Sequence, residues 1–488
     1  MSLLFDWLER AVKGRTASGG SGHAIIYHDT YLSWRGLFHR VDRRARELES
    51  MGIVAGDWVG LMLGNDPELV VLALALSKLD AVVVPIDPTT GGRDLDMTLE
   101  SAPLRAIVTR PNAIDPLAAP SGTLRLDGNV HLPRVASESR HRISGTLLSC
   151  AFYQRTRPAS GSIDTPVVVL FTLDSGGDPK AVVRGESELR GIADSLARAF
   201  DLGSTSNVLG AAPLFDSQGF DFGLLAALPH GATLFLDDGT AGPRIAKALV
   251  DHDIDLFATT AREFAALARL SNARPLRNRT RLVCSGVPLP SAVARSFRER
   301  FGVPVLSCYH SCETGPAAVD MQGSSPDSVG KPLPGVDIKI ATGAGEALAR
   351  GISGPVWVKG PGVARTFLTV LPGRAGQTAV GRCQADGWMR TGDVGYFRSD
   401  DHLVLTNRED DIVRVDRRRV ALGEIESCLE ALANVKAAQA HVEYDETGSS
   451  HIVVRITPGG RCKSSAMLDH CAKQLAPHKV PKRIEITE

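Results

Sequence analysis

The chain has 488 residues, enough for about two to four domains. Hydrophobic residues make up 43% and charged residues 23%, which excludes a disordered, collagenous or membrane protein as the main class. Lys plus Arg and Asp plus Glu both count 55, so the net charge is zero, and nothing points to nucleic acid or a membrane surface as partner. The N-terminal stretch carries Asp6, Glu9 and Arg10 among its apolar residues and reads as an amphipathic helix rather than a signal peptide. Trp34 to Met51 has helical periodicity, with Leu37, Val41, Ala45 and Leu48 on one face and Ser33 as its cap. Asp57 to Leu63 reads as a buried strand, Glu68 to Leu79 as a helix, and Ala81 to Ile86 as a second strand. Ser77, Lys78 and Asp80 interrupt the apolar run Leu69 to Ile86, which therefore reads as core and not as a membrane span.

Pro111 to Pro120 and Ala136 to Pro158 are rich in Pro, Ser and Arg and read as surface segments. Strands resume at Val167 to Phe171, Val208 to Pro213, Ala232 to Leu236 and Leu282 to Ser285. Short Gly-punctuated strands from Gly330 to Asp400 suggest a β-rich subdomain. From Ile412 a small α+β unit follows, with helices at Gly423 to Ala433 and Ser465 to Leu475 around strands Ala440 to Tyr444 and His451 to Thr457. Alternating strands and helices imply an α/β protein: a large N-terminal domain of βαβ-type sheets plus the β-rich subdomain, and a small C-terminal α+β domain. The eight cysteines are dispersed, with only Cys308 and Cys312 close, so they read as reduced thiols of a cytoplasmic protein rather than a zinc site.

Four segments carry chemistry. Phe171-Thr-Leu-Asp-Ser-Gly-Gly-Asp-Pro-Lys180 is a Gly-rich turn after an apolar strand, either an anion cradle or a plain surface turn. Tyr309-His-Ser-Cys-Glu-Thr-Gly-Pro316 places an aromatic and a carboxylate at a strand end, either a metal–nucleotide site or a capped helix start. Asp393 lies in a Gly-flanked turn suited to a ribose diol, or in an ordinary hairpin. Leu405 to Arg414 gathers Arg408 and three acids, at a domain boundary or in a solvated linker.

In this order the segments resemble the adenylate-forming superfamily of acyl-CoA synthetases, aryl-acid ligases, luciferases and peptide-synthetase adenylation domains, over nearly the whole chain. Asp57 to Pro88, in its ending Leu-Ser-Lys-Leu-Asp-Ala-Val-Val-Val-Pro-Ile-Asp-Pro, is similar to LAVLKAGAVVVPLDP, Phe171 to Val183 to TSGTTGxPKGV, and Pro213-Leu-Phe-Asp-Ser-Gln-Gly through Gly231-Ala to PLFHxxG…GA. Ser285 to Leu289 resembles GGAPL, Tyr309 to Gly315 YGxTExG, Arg390 to Tyr396 RTGDLGY, and Arg408 to Glu426 GRxDDxIKxxGxRVxxxEIE. The resemblance implies an acyl-CoA synthetase-like fold, with residues 1–408 binding AMP and the acid and residues 409–488 forming a lid. It implies attack of a carboxylate on Mg-ATP, then lid rotation and acyl transfer to CoA.

Carried over, Ser175, Gly176, Gly177 and Lys180 cradle the triphosphate, Ser285, Gly286 and Val287 line the adenine, and Tyr309 stacks on it. Cys312 stands at the α-phosphate, Glu313 holds Mg²⁺, Asp393 binds the ribose, Arg408 assists, Asp410 is the hinge, and Arg419 matches the arginine of the last motif. Asp216, Thr259, Phe264, Ser285 and Cys308 line a pocket for a hydrophobic or aryl acid.

The sequence departs from these patterns in several places. Leu173 and Asp174 replace small or hydroxyl residues, Ala181 a glycine, and Cys312 a threonine. Asp216 replaces the histidine of PLFHxxG, which fits an amine-bearing substrate or a plain loop aspartate. Arg417 takes the place of a glycine that lets backbone approach pantetheine, and an arginine there either crowds the tunnel or salt-bridges the CoA phosphates. The sequence stops at Glu488 before the family's GK lysine, with Lys479 and Lys482 out of register, so either the sequence is truncated or the natural chain lacks that lysine. Three readings follow: a CoA-forming acid ligase, an adenylating ligase passing its acyl group to an amine or a carrier-protein thiol, and a degenerate fold that binds nucleotide without catalysis.

Overall fold

A computed structural model describes residues 3–17, 22–90, 95, 97–98, 102–110, 142–143, 146–147, 149–152, 166–173, 179–237, 242–270, 274–286, 289–325, 327–371, 374–379, 383, 386–408, 412–415, 418–447, 449–460 and 463–486. Two large sheets form the body. In the nine-stranded sheet, His23–Tyr27, Thr233–Leu236, Asn207–Gly210, Leu256–Thr259, Arg281–Ser285 and Val305–Ser311 run parallel, and antiparallel strands flank them. The eight-stranded sheet is mixed; its parallel part is Leu104–Thr109, Trp58–Met62, Val82–Pro85 and Pro166–Leu173. This is the α/β arrangement that alternating strand and helix signals imply.

The helix Trp34–Ser50 follows its sequence signals. Ser33 caps it by accepting from Gly36 N at 3.1 Å, and Leu37, Val41, Ala45 and Leu48 are buried on one face. That face also buries Arg44, which donates to Glu68 on the helix Pro67–Lys78 and to Glu47. Pro67–Lys78 itself is buried from Glu68 to Ser77, with a continuous apolar run from Leu69 to Leu76, and is capped by Asp66 with Pro67 at its first turn. Leu3–Ala17 is the expected N-terminal helix; Leu3, Leu4, Trp7 and Leu8 are core residues.

Two expectations change. Ser149–Phe152, within a segment read as surface, pairs with Leu104–Thr109 and lies at the end of the eight-stranded sheet. In the β-rich stretch, Asp337–Ile340, Gly354–Lys359, Met389–Phe397 and Leu403–Arg408 form a four-stranded antiparallel sheet. Thr366–Leu371 and Arg374–Ala379 instead extend the eight-stranded sheet through Pro179–Gly185. Short strands of one composition thus split between two sheets, a pairing choice that local sequence does not encode.

Residues from Val415 to Ile484 gather their own apolar cluster, including Val420, Ile425, Leu429, Val454, Ile456 and Met467. Here the helices Leu422–Glu430 and Ser464–Gln474 accompany the sheet of Val435–Tyr444, Ser450–Pro458 and Arg483–Ile486. Arg418 touches the body: its guanidinium lies 2.9 Å from Asp87, bonds Thr89, and faces His478 Nδ1 at 3.2 Å. No helix among the described residues is long and apolar enough to cross a membrane.

Candidate active site

Pro166–Leu173 and Pro179–Gly185 are antiparallel, with Thr172 opposite Lys180, so residues 174–178 connect two adjacent strands. Ser175, Gly176, Gly177 and Asp174 lie outside the described residues. Lys180 Nζ meets Glu313 Oε1 at 2.8 Å, with both side chains over nine-tenths buried, and sits 5.2 Å from the centre of the Phe367 ring. Burying this pair costs desolvation that its mutual attraction must offset.

Tyr309 lies in the strand Val305–Ser311, and Glu313 in the turn before Gly315–Val319. That turn joins two antiparallel strands, and no helix starts there. The Tyr309 hydroxyl donates to the Asp393 carboxylate. Asp393 also accepts from Arg408 NH1 at 2.6 Å, across the strand pair Met389–Phe397 and Leu403–Arg408, where the two residues are directly opposite. Asp393 therefore sits inside a strand rather than in a tight turn. Gly392 supplies the positive φ (+85°) that a turn reading of Gly-Asp expects, yet strand pairing continues past it. Burial, reinforced by the Asp393 charge, pushes the Tyr309 phenol well above its ordinary pKa.

Cys312 is buried, and its carbonyl accepts from Arg184 NH2 at 2.8 Å. Ser285 is fully buried opposite Cys308. Burial pushes the Cys308 thiol well up, so it stays protonated at neutral pH. Gly286 takes φ +86°, and Val287 lies outside the described residues. Among the described residues Thr172 Oγ1, Ser285 Oγ and Ser307 Oγ are buried without a hydrogen-bond partner. Such orphaned groups, Thr172 opposite Lys180, Ser307 on the strand that carries Tyr309 and Ser285 on the strand beside it, suit a polar ligand.

Asp216 is half-buried and caps a short turn, accepting from Gln218 N at 3.2 Å and Ser217 Oγ at 3.3 Å. Asn65 fixes the preceding loop by donating to Ala212 O and accepting from Leu214 N, both at 2.7 Å. Gly219 is required here, since a Cβ would fall 2.1 Å from the Pro213 carbonyl oxygen. Thr259 is buried near Glu263. Phe264 is fully buried, its ring against Phe257 and Phe297 at 5.8 and 5.2 Å. Arg419 pairs with Arg414 in the hairpin of Ile412–Val415 and Arg418–Ala421; Asp410 and Arg417 are outside the described residues.

Sequence reasoning missed three residues beside these. Arg184, Asp221 and His310 form a fully buried polar cluster touching Cys312, with Arg184 and Asp221 as its ion pair. The available signal was His310, which stands where the YGxTExG pattern has glycine.

The described residues hold no cluster of three or more metal-ligating side chains. Glu313, held by Lys180, offers a single carboxylate, which fits a Mg²⁺ that arrives with phosphates and keeps its waters, as this ion prefers.

Residues 15–368 match the family described as AMP-binding enzyme. The chain is similar to a probable CoA ligase of Humulus lupulus, 26% identical over 95% of this chain and 89% of the relative. It resembles the solved structure of the amide bond synthetase McbA from Marinactinospora thermotolerans, with TM-score 0.77 and 22% identity over 99% of this chain and 95% of that one. It also resembles o-succinylbenzoate CoA synthetase (MenE) from Bacillus subtilis, with TM-score 0.79 and 20% identity over 99% of this chain and 94% of that one.

Proposed function

We propose, for a chain that belongs to the AMP-binding enzyme family and is an AMP-forming ligase, that it activates a hydrophobic or aryl carboxylic acid and passes the acyl group to CoA. The convergence of Lys180–Glu313 with Tyr309–Asp393–Arg408 carries this reading. In the first step a carboxylate oxygen attacks the α-phosphorus of ATP, forming the acyl–AMP anhydride and releasing pyrophosphate. In the second, the CoA thiolate attacks the acyl carbonyl and AMP leaves. Lys180 neutralises charge on the phosphates, a contribution of electrostatic positioning. Asp393 accepts from the ribose hydroxyls, and Tyr309 presents its ring to the adenine. Mg²⁺ on Glu313 would supply further charge neutralisation. Residues 409–488 serve as the lid.

CoA as acceptor is supported by the Humulus lupulus CoA ligase and the Bacillus subtilis CoA synthetase. A second acceptor class, an amine, is favoured by Asp216 in place of histidine, by Arg417 in place of glycine, and by the likeness to an amide bond synthetase. A carrier-protein thiol falls in the same alternative. The deciding experiment supplies acid, Mg-ATP and either CoA or a panel of amines and follows the product by mass. Thioester formation supports CoA, whereas amide without thioester overturns it. Arg417→Gly raises CoA use if the arginine crowds the thiol's path.

A further inference from the structure

Arg184, Asp221 and His310 come from three separate segments: the strand after the phosphate loop, the π-helical turn Phe220–Leu225 behind the Asp216 loop, and the strand that carries Tyr309. Arg184 grips Asp221 with two nitrogens, at 2.5 and 3.2 Å, and His310 Nε2 meets the same carboxylate at 2.9 Å. All three side chains are fully buried. A carboxylate can only accept, so the His310 nitrogen facing it carries the proton. Burial works against the Arg184 charge, and Asp221, ahead of Cys312 and Glu313, more than offsets it.

A buried cluster of this kind is weak evidence for stability, because well-packed apolar replacements often do as well. Its connections point elsewhere. Lys180 and Arg184 share one face of a strand, about 13 Å apart at the usual rise per residue. Arg184 holds the Cys312 carbonyl while Lys180 holds the Glu313 carboxylate. Two successive residues of the nucleotide-side turn are thus pinned to one strand by two cations. Asp221 carries the same Arg184 to the helical turn that begins four residues after Asp216. The Phe222 ring on that turn lies 5.6 Å from His310, which directly follows Tyr309. A shift of the acid-side turn therefore moves the residues on either side of the nucleotide motif. His310 Nδ1 and Arg184 Nε have no hydrogen-bond partner among the described residues, so the cluster holds little else in place.

We propose that Arg184, Asp221 and His310 form a positioning triad that couples occupancy of the acid pocket to the placement of Tyr309 and Glu313 at the nucleotide. The proposal rests on the adenylation reading, and the two fail in different ways. The test measures by calorimetry the affinity for Mg²⁺ with α,β-methylene-ATP, which cannot be cleaved, with and without the best acid from an exchange panel. In the wild-type chain the acid tightens nucleotide binding by about five-fold or more, a typical coupling. The charge-free set Arg184→Met, Asp221→Leu and His310→Phe removes all three polar groups together and leaves no buried charge unpaired. It is expected to melt near the wild-type temperature while the coupling falls to about one. His310→Gln, which keeps a donor toward Asp221, retains the coupling, and His310→Leu loses it, so the pair decides the matter if the triple variant does not fold. A folded triple variant with undiminished coupling, or equal coupling in His310→Gln and His310→Leu, overturns the triad. A wild-type chain that exchanges pyrophosphate with no acid overturns the adenylation reading instead.

Discussion

Lys180 and Glu313, 133 positions apart in sequence, form a buried ion pair of 2.8 Å. Both side chains are over nine-tenths buried, Lys180 in the strand Pro179–Gly185 and Glu313 in the turn before Gly315–Val319.

This pair makes a stability prediction with a definite sign. Lys180→Met removes the cation hydrogen-bonded to the buried Glu313 carboxylate, and is expected to cost about 3–5 kcal/mol in urea denaturation. Adding Glu313→Gln removes the carboxylate charge and recovers most of that loss. Nucleotide exchange stays at least about 10²-fold below wild type in both variants, because the charge that stabilises the phosphates is gone. Recovery of exchange alongside stability would show that the lysine serves the fold alone.

Asp393 joins Tyr309 and Arg408. Asp393→Asn keeps the shape but removes the charge that Arg408 faces. Mg-ATP affinity measured by calorimetry should fall about ten-fold or more, with less effect on the melting temperature, since Arg408 is partly exposed and water can reach it. Unchanged affinity would remove Asp393 from the nucleotide site.

The raised Tyr309 phenol sets an alkaline limit on stability. Its pKa in the fold exceeds the ordinary tyrosine value, so its contribution is fully present below about pH 10 and is lost as pH rises beyond that toward the folded value. Tyr309→Phe cannot ionise. Urea midpoints between about pH 8 and 11 should therefore fall less steeply for Tyr309→Phe than for wild type. Equal slopes would contradict the assignment.

Gly219 allows the loop from Pro213 to turn back on itself, with a Cβ there only 2.1 Å from a backbone oxygen. Gly219→Ala forces that backbone to move and should cost on the order of 2 kcal/mol or more by denaturation. It should also weaken acid-dependent binding, because Asp216 caps the same turn.

Periodic helices and apolar parallel strands were legible in the sequence, because one face of Trp34–Ser50 and both faces of Trp58–Met62 report burial directly. Motif order brought Lys180, Glu313, Tyr309, Asp393 and Arg408 into view one by one, although only the fold shows which pairs meet. Asp393 opposite Arg408 is a matter of strand register, and Arg184 with Asp221 and His310 is a tertiary contact across separate segments. Neither leaves a periodic trace. Phe264 shows the same limit: its spacing after Thr259 says nothing of the aromatic stack with Phe257 and Phe297 that encloses it.

The most direct measurement is acid-dependent exchange of labelled pyrophosphate into ATP, across a panel of apolar and aryl acids with Mg²⁺ present. At least one acid should raise exchange well above the acid-free rate, and Lys180→Met should abolish the increase. Exchange that never rises above the acid-free rate for any acid would contradict the account.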